Sequence, residues 1–166
     1  MDTWLAIASR REVREYSARP VSEEVMRTIL DAGRLAGSAQ NRQPWRFVVV
    51  DDAAARERLA ESVYEPSNVS GAQVVVAVVG KNSLDTGRAA QNMMLAAWNA
   101  GVGSCPNGLQ HPDGARQALG LGEDEQLAIV LTFGYPARER DPFRRTPEEW
   151  SARANRKPLD ELVTRI

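Results

Sequence analysis

The sequence is poor in the residues on which most metal sites and many hydrolytic enzymes depend. Cys105 is its only cysteine and His111 is its only histidine. A single cysteine cannot form a disulfide within the chain, which agrees with a reducing, cytoplasmic location, and this is the location we expect. A single histidine nearly excludes a histidine-based metal centre or a Ser-His-Asp triad, so we predict no metal site. We expect Cys105 to be a small packed side chain rather than a nucleophile.

An excess of charge of one sign is also missing, and so are long apolar runs. The 166 residues carry a formal net charge of −1, which gives no support to a general role in binding nucleic acid or a membrane surface. No apolar run approaches membrane-spanning length, and the N-terminus lacks the apolar core of a signal peptide. We therefore expect neither a membrane nor a nucleic acid as partner. The length fits one domain, and we predict that residues 1–166 form it.

The pattern of apolar residues predicts alternating helices and strands. Strands are expected at 45–50, 74–79 and 127–133, and the middle one is apolar throughout, so it should be buried on both faces. Helices are expected at 3–10, 22–37, 51–63, 85–100 and 112–119. Residues 65–71 read as a loop, 101–108 as a glycine-rich turn, and 137–157 as mostly irregular. The class is therefore α/β or α+β with one sheet.

The helix expected at 85–100 has little polar surface. A helix that is apolar nearly all round must be buried on most of its sides. In a chain of this size the second wall is either the core of a monomer or another subunit, and the sequence leaves both possibilities open.

Two glycine motifs fail the tests for nucleotide binding. Gly101-Val102-Gly103 follows a helix rather than a strand and lacks the third glycine, so a Rossmann-type dinucleotide fold is not expected. Gly80-Lys81-Asn82 lacks the upstream glycine and the hydroxyl residue after lysine, so it is not a P-loop.

Three arginines fall within five positions near the N-terminus: Arg10, Arg11 and Arg14. Arginine offers a planar fork of donors that stays charged, which suits a phosphate better than the point charge of lysine. The alternative interpretation is a solvated helix end, where basic residues offset the helix dipole. The cluster alone does not decide between these two interpretations.

Further segments change this balance, because together with the arginines they form a collinear set. They are Ser9 to Tyr16, Ala36 to Phe47, Gln91-Asn92 with Gly101 to Cys105, Gly134-Tyr135-Pro136, and Arg156 to Leu159. In this order they cover nearly the whole chain, which resembles the nitroreductase family of flavin mononucleotide (FMN) enzymes.

The resemblance implies an α+β sandwich whose sheet is mainly antiparallel and flanked by helices. It implies a homodimer with two FMN sites at the interface and a C-terminal tail, about 155–166, that docks on the partner subunit. The implied activity moves hydride from NAD(P)H to an oxidised acceptor such as a nitroaromatic or a quinone, by a ping-pong mechanism. The flavin N5 carries the hydride, so no side chain is expected to be catalytic.

The resemblance also assigns roles to the basic residues. Arg10 and Arg156 would bind the FMN phosphate, a dianion that suits bidentate donors. Arg11 would contact phosphate or ribityl oxygens. Arg14 would lie near the N1–C2=O edge of the ring, where a fixed cation stabilises the negative charge of the reduced flavin.

The remaining implied contacts come from two polar segments. Ser38 and Asn41 would reach the flavin of the partner chain and pair with its ribityl or pyrimidine groups. The turn Pro106-Asn107-Gly108 would lie along the ring with a backbone N–H directed at N5 or O4, and glycine there allows the main chain to come close. Each of these residues has an alternative role taken singly; Asn41, for instance, would simply cap its loop.

The sequence departs from the family pattern at two places. Glu12, which we count with the cofactor-binding residues, stands where the family commonly has a small hydroxyl residue, and a carboxylate facing phosphate would be repelled. The link at 80–84 is short where many relatives carry covering helices, so the site is expected to be open or covered by residues 137–154. Two alternatives follow: a deazaflavin bound in the same scaffold, and a non-catalytic flavin-binding or dimerisation module. The preference for NADH or NADPH stays open.

Overall fold

A computed structural model describes every residue from Met1 to Ile166. The chain divides into two compact units: residues 11–140 form the larger, and residues 1–10 with 141–166 form the smaller. The larger unit contains the whole sheet. The expectation of a single domain over 1–166 stays a prediction.

Four antiparallel strands form the sheet in the order β1-β2-β4-β3. They are β1 (Arg46–Val49), β2 (Val74–Val79), β3 (Gly103–Asn107) and β4 (Leu127–Gly134). β2 and β4 are the central pair, and the apolar run of β2 is buried as its sequence predicts. β1 and β3 are the two edges of the sheet.

Helices cover both faces of this sheet. In the larger unit they are α2 (Glu23–Arg34), α3 (Ala53–Ala60), α4 (Pro66–Ser70), α5 (Leu84–Asn99) and α6 (Pro112–Ala118). Successive side chains of a strand point to opposite faces. Val75 and Ala77 of β2 therefore join a core with α3, α4 and α6, whereas Val76 and Val78 join a second core with α2 and α5. The α+β sandwich with a helix-flanked antiparallel sheet is confirmed.

Helix α5 buries one side and exposes the other. Its N-terminus is fixed by a capping box in which Ser83 and Thr86 bond each other's backbone N–H groups. Met93 and Ala97 are fully buried, but Leu84, Gly87 and Gln91 are exposed along one strip. The sequence predicted that this helix is buried on most of its sides. In the single chain, the strip formed by these three residues is not buried.

The smaller unit is helical. It consists of α1 (Thr3–Ser9), α7 (Pro147–Ala152), α8 (Leu159–Leu162) and a 3₁₀ turn at Pro142–Arg144, and α1 packs against α7. The caps follow from the sequence, because Asp2 accepts from the Leu5 N–H and Thr146 with Glu149 forms a capping box. The segment 137–157, predicted to be mostly irregular with one helical turn near 147–153, thus contains α7 at that place and, in addition, the 3₁₀ turn.

Two predicted loops are regular structure. The turn predicted at 101–108 contains strand β3, and the loop predicted at 65–71 contains helix α4. Both were missed because proline, glycine and asparagine are turn signals, whereas an edge strand and a first helical turn tolerate proline. None of the helices is both long and apolar enough to cross a bilayer.

Candidate functional site

Within the larger unit, the arginine-rich segment lies beside the first residues of β3. The Val13 N–H donates to the carbonyl of Ser104 at 3.0 Å, and Glu12 forms a parallel bridge with Ser104. Val13 is buried, whereas Arg14 and Glu15, which follow it, are exposed. The strand therefore fixes the backbone of this segment and leaves the Arg14 guanidinium accessible.

Gly103 makes this approach possible. A Cβ atom at this position would lie 2.6 Å from Cγ2 of Val13, closer than real Cβ contacts come. The absence of a side chain at Gly103 therefore lets the arginine segment lie against the sheet. The sequence alone did not indicate this role.

The same segment is held at its other end by the residues after β4. Tyr16 forms an antiparallel bridge with Pro136, and the Ser17 N–H donates to the carbonyl of Tyr135 at 2.8 Å. The Ala137 N–H donates to the carbonyl of Glu15 at 3.0 Å. Residues 11–17 thus run across the ends of β3 and β4, and the Gly134-Tyr135-Pro136 motif serves as their anchor.

A buried network of polar side chains lies beneath this segment, centred on Thr132. The Thr132 hydroxyl donates to Oδ1 of Asn68 at 2.6 Å, which uses its only proton. The Tyr16 hydroxyl, 2.9 Å from Oγ1 of Thr132, must then be the donor of that pair. Nδ2 of Asn107 also donates to Oγ1 of Thr132, at 3.3 Å. One hydroxyl therefore joins four segments of the chain.

The network reaches the arginine segment through Asn68 and Tyr16. Nδ2 of Asn68 donates to the carbonyl of Arg14 at 3.1 Å, so α4 fixes the backbone at that arginine. Burial raises the pKa of Tyr16 to about 12, which keeps its hydroxyl a neutral donor. Oδ1 of Asn107 is buried without a hydrogen-bond partner, an arrangement that costs stability.

The residues at the end of β3 present backbone rather than side chain. The Asn107 side chain is turned into the buried network, so only its main chain can face a ligand. Gly108 is exposed, and its N–H makes no internal hydrogen bond, although its carbonyl accepts from the Tyr64 N–H at 3.2 Å. Pro106 is half-buried and has no N–H. Of the three predicted residues, Gly108 therefore offers the free donor.

The loop with Ser38 and Asn41 is strained and exposed. Gln40, Asn41 and Gln43 have φ values of 54°, 55° and 48°, which is the left-handed region that residues other than glycine rarely adopt. Ser38 Oγ accepts from the Gln43 N–H at 2.8 Å, so its hydroxyl caps its own loop. The carboxylate of Asp85 accepts from the Ala39 N–H at 3.1 Å and ties the loop to the start of α5.

The sheet places this loop and the end of β3 at opposite edges. The loop leads into β1, and three inter-strand spacings separate β1 from β3 in the sheet order. At about 4.8 Å a spacing, this distance is roughly 14 Å. A single chain thus does not bring Ser38 and Asn41 beside Gly108.

Arg10 and Arg156 both belong to the smaller unit. Arg10 follows the last residue of α1 and is half-buried, and Arg156 is exposed between α7 and α8. Their convergence on one phosphate stays a prediction.

Several residues near Arg14 escaped the sequence analysis. A cavity of ≈ 290 Å³ is lined by the backbone-fixed segment of Glu12 to Glu15 and, across from it, by Pro136, Arg138 and Arg140. The available signal was the spacing Arg-x-Arg, which begins two residues after the proline of the Gly-Tyr-Pro motif. Asn68 and Thr132 had none, because they meet only through contacts between distant segments.

The chain matches known proteins over most of its length. The sequence profile of the Nitroreductase family matches residues 7–84 and 80–135. A relative from Archaeoglobus fulgidus, named as a candidate NADH dehydrogenase/NAD(P)H nitroreductase, is 32% identical over 81% of this chain and 86% of its own.

Two solved structures share the fold over nearly full length. A candidate nitroreductase from Desulfovibrio desulfuricans in complex with FMN superposes with a TM-score of 0.83 at 30% identity, covering 100% of this chain and 98% of its own. A nitroreductase family protein from Clostridium difficile 630 has a TM-score of 0.83 at 25% identity, covering 99% and 98%. The chain belongs to the nitroreductase family.

Proposed function

We propose that this protein is an FMN-dependent oxidoreductase that uses NAD(P)H to reduce an oxidised acceptor such as a nitroaromatic or a quinone. Family membership, the FMN-bound neighbour and the name of the Archaeoglobus relative support the cofactor and the donor. The observation that carries the proposal is the hydrogen bond from Val13 to Ser104, which sets the accessible Arg14 beside β3, the strand that leads into Gly108.

Two residues of the larger unit offer hydrogen-bond donors that suit the edge of the flavin ring, which carries acceptors and becomes negatively charged on reduction. Arg14 offers a guanidinium with no internal ion pair, and Gly108 offers an N–H with no internal acceptor. The chemistry that bound FMN would supply is hydride transfer through N5, from the nicotinamide donor to the acceptor. Arg14 would favour negative charge at the N1–C2=O edge, and the Gly108 N–H would orient N5 or O4. Arg11, with Arg10 and Arg156, would hold the phosphate and ribityl end, and Glu12 would lie beside them.

We further propose that the active form is a homodimer. Ser38 and Asn41 lie at the sheet edge opposite Gly108, so a partner chain would supply them to a shared site. The exposed strip of α5 with Leu84, Gly87 and Gln91 offers an unpaired face near that loop. A donor that leaves before the acceptor binds at the same face would give ping-pong kinetics.

The cofactor is tested by purification with added FMN, followed by absorption spectra and steady-state NAD(P)H oxidation with a quinone. We expect flavin bands that stay with the protein, and parallel double-reciprocal plots when both substrates are varied. Arg14→Gln should lower the midpoint potential of the bound flavin. Arg58→Gln, which removes an exposed charge from α3, should not. A colourless protein with no turnover above that of free FMN would overturn the proposal.

A further inference from the structure

The cavity beside Arg14 has an unusual wall for a site that would hold a flavin ring. Five of the seven residues that line its ≈ 290 Å³ are charged: Glu12, Arg14, Glu15, Arg138 and Arg140. No aromatic side chain lines it. This lining would not cover the apolar faces of a ring, so the cavity is suited to a small, strongly charged group that lies beside the ring edge at Arg14.

The positions of the arginines are set by the backbone. The Ala137 N–H donates to the carbonyl of Glu15 at 3.0 Å, and Tyr16 bridges to Pro136. Arg138 is therefore the residue directly after Ala137, whose N–H bonds to Glu15, and Glu15 is the residue directly after Arg14. This pairing brings arginines more than 120 positions apart in sequence to one opening.

None of the three guanidinium groups takes part in an ion pair of the structure. Three arginines against the carboxylates of Glu12 and Glu15 leave one net positive charge, 3 − 2 = 1, around the cavity. Arginine forks bind phosphate through paired, charge-assisted hydrogen bonds. The exposed carboxylate of Glu15 would accept from a sugar hydroxyl next to that phosphate.

We propose that Arg138 and Arg140 bind the 2′-phosphate of NADPH, and so make NADPH the preferred hydride donor; this inference rests on the proposed function. Both residues lie beyond position 135, where the match to the family's sequence profile ends, so that profile assigns them no role. The 5′-phosphate of FMN has the same chemistry. We assign Arg138 and Arg140 to the donor because the proposed site already gives the FMN phosphate to Arg10, Arg11 and Arg156, and because the cavity joins these two arginines to Arg14 at the ring edge, beside which the donor would bind.

The kinetic test compares kcat/KM for NADPH and for NADH in the FMN-loaded protein. The wild type should prefer NADPH. The variant Arg138→Gln/Arg140→Gln should lower the NADPH-to-NADH ratio by about tenfold for each arginine removed, since each removes a charge-assisted contact. Arg27→Gln/Arg58→Gln, which removes the same charge from exposed positions on α2 and α3, should keep the wild-type ratio.

Two binding measurements separate the sources of phosphate. Calorimetry with adenosine 2′,5′-bisphosphate against 5′-AMP reports the 2′-phosphate alone, and it needs no turnover. The double variant should lose the preference for the bisphosphate. Titration with FMN against riboflavin reports the flavin phosphate, and the advantage of FMN should be the same in the double variant and the wild type.

The outcomes are distinct. A wild type that prefers NADH, or a double variant with an unchanged NADPH-to-NADH ratio, overturns the inference. A double variant that loses the advantage of FMN over riboflavin assigns the cavity to the flavin phosphate and also overturns it. Absence of flavin binding defeats the proposed function, while the bisphosphate titration still tests the arginines.

Discussion

The hydroxyl of Thr132 uses all of its hydrogen-bonding capacity, because it donates to Asn68 and accepts from Tyr16 and Asn107. These partners come from α4, from the segment across the sheet ends and from β3. At the scale of single residues, Thr132 is therefore the group on which the placement of Arg14 and of the end of β3 jointly depends.

Thr132→Val tests this dependence, since valine keeps the shape and removes the hydroxyl. Buried groups left without a partner cost about 1–3 kcal/mol, so we expect urea unfolding at a lower midpoint with an unchanged m-value. FMN binding should weaken as well, because Asn68 holds the carbonyl of Arg14. Thr132→Ser keeps the hydroxyl and should retain both; equal losses in the two variants, or a Thr132→Val variant with the wild-type midpoint and FMN affinity, would show that the hydroxyl does not hold the segment.

Tyr16 makes the stability dependent on pH at the alkaline end. Its pKa is raised by burial from 10.0 to about 12, so the folded state holds a proton that the unfolded state has lost. This contribution is complete below pH 10 and is lost as the pH rises through 12. We expect the free energy of unfolding of the wild type to fall across this window, and Tyr16→Phe to remove that fall.

Tyr64→Phe is the matched control, because the Tyr64 side chain is 67% exposed. It should show the same alkaline loss as the wild type. A Tyr16→Phe variant that keeps the wild-type slope between pH 10 and 12 would show that other groups cause the loss.

At the scale of elements, the pattern of apolar residues predicts the central strands, which are buried on both faces, and fails for strand β3 at the edge of the sheet. β2 and β4 were predicted from continuous apolar runs. β3 was not, because Gly103, Pro106 and Asn107 are turn formers. Pro106 is tolerated there because β3 pairs only with β4, which leaves the other edge without a partner strand.

In the candidate site, too, some parts were predictable from the sequence and others were not. The order of motifs along the chain predicted the arginine segment and the 106–108 segment, and the structure joins them through Ser104. The Asn68–Thr132 bond spans 64 positions and has no local signature. Pairings of that kind depend on the fold, so sequence periodicity does not reveal them.

Gly103→Ala tests how the arginine segment is seated. The added methyl group would lie 2.6 Å from Cγ2 of Val13, so either β3 or residues 11–16 must shift. We expect a loss of about 1–3 kcal/mol in the free energy of unfolding, and weaker FMN binding. Gly122→Ala, whose nearest neighbour would be a Glu125 side-chain oxygen at 3.7 Å, should leave FMN binding unchanged. Tight FMN binding by Gly103→Ala would separate the cofactor site from this contact.

At the scale of the whole molecule, the order β1-β2-β4-β3 argues for assembly. It holds the strained loop and the end of β3 at opposite edges, so one site containing both needs two chains. The chain also leaves apolar side chains exposed at its C-terminus: Leu159 is 72% exposed, Leu162 63% and Val163 51%. A cluster of this kind is typical of a surface that another chain covers.

The last prediction concerns this tail. Replacing Leu159, Leu162 and Val163 with serine removes the apolar surface without shortening the chain, and each residue is already exposed, so the fold should persist. Light scattering after size exclusion should show a dimer for the wild type and a monomer at low concentration for the variant. FMN affinity should fall with it, because Ser38 and Asn41 would no longer come from a partner. Arg58→Ser, at an exposed position on α3, should remain dimeric; a monomeric wild type, or a triple variant that stays dimeric, would show that the tail does not hold two chains together.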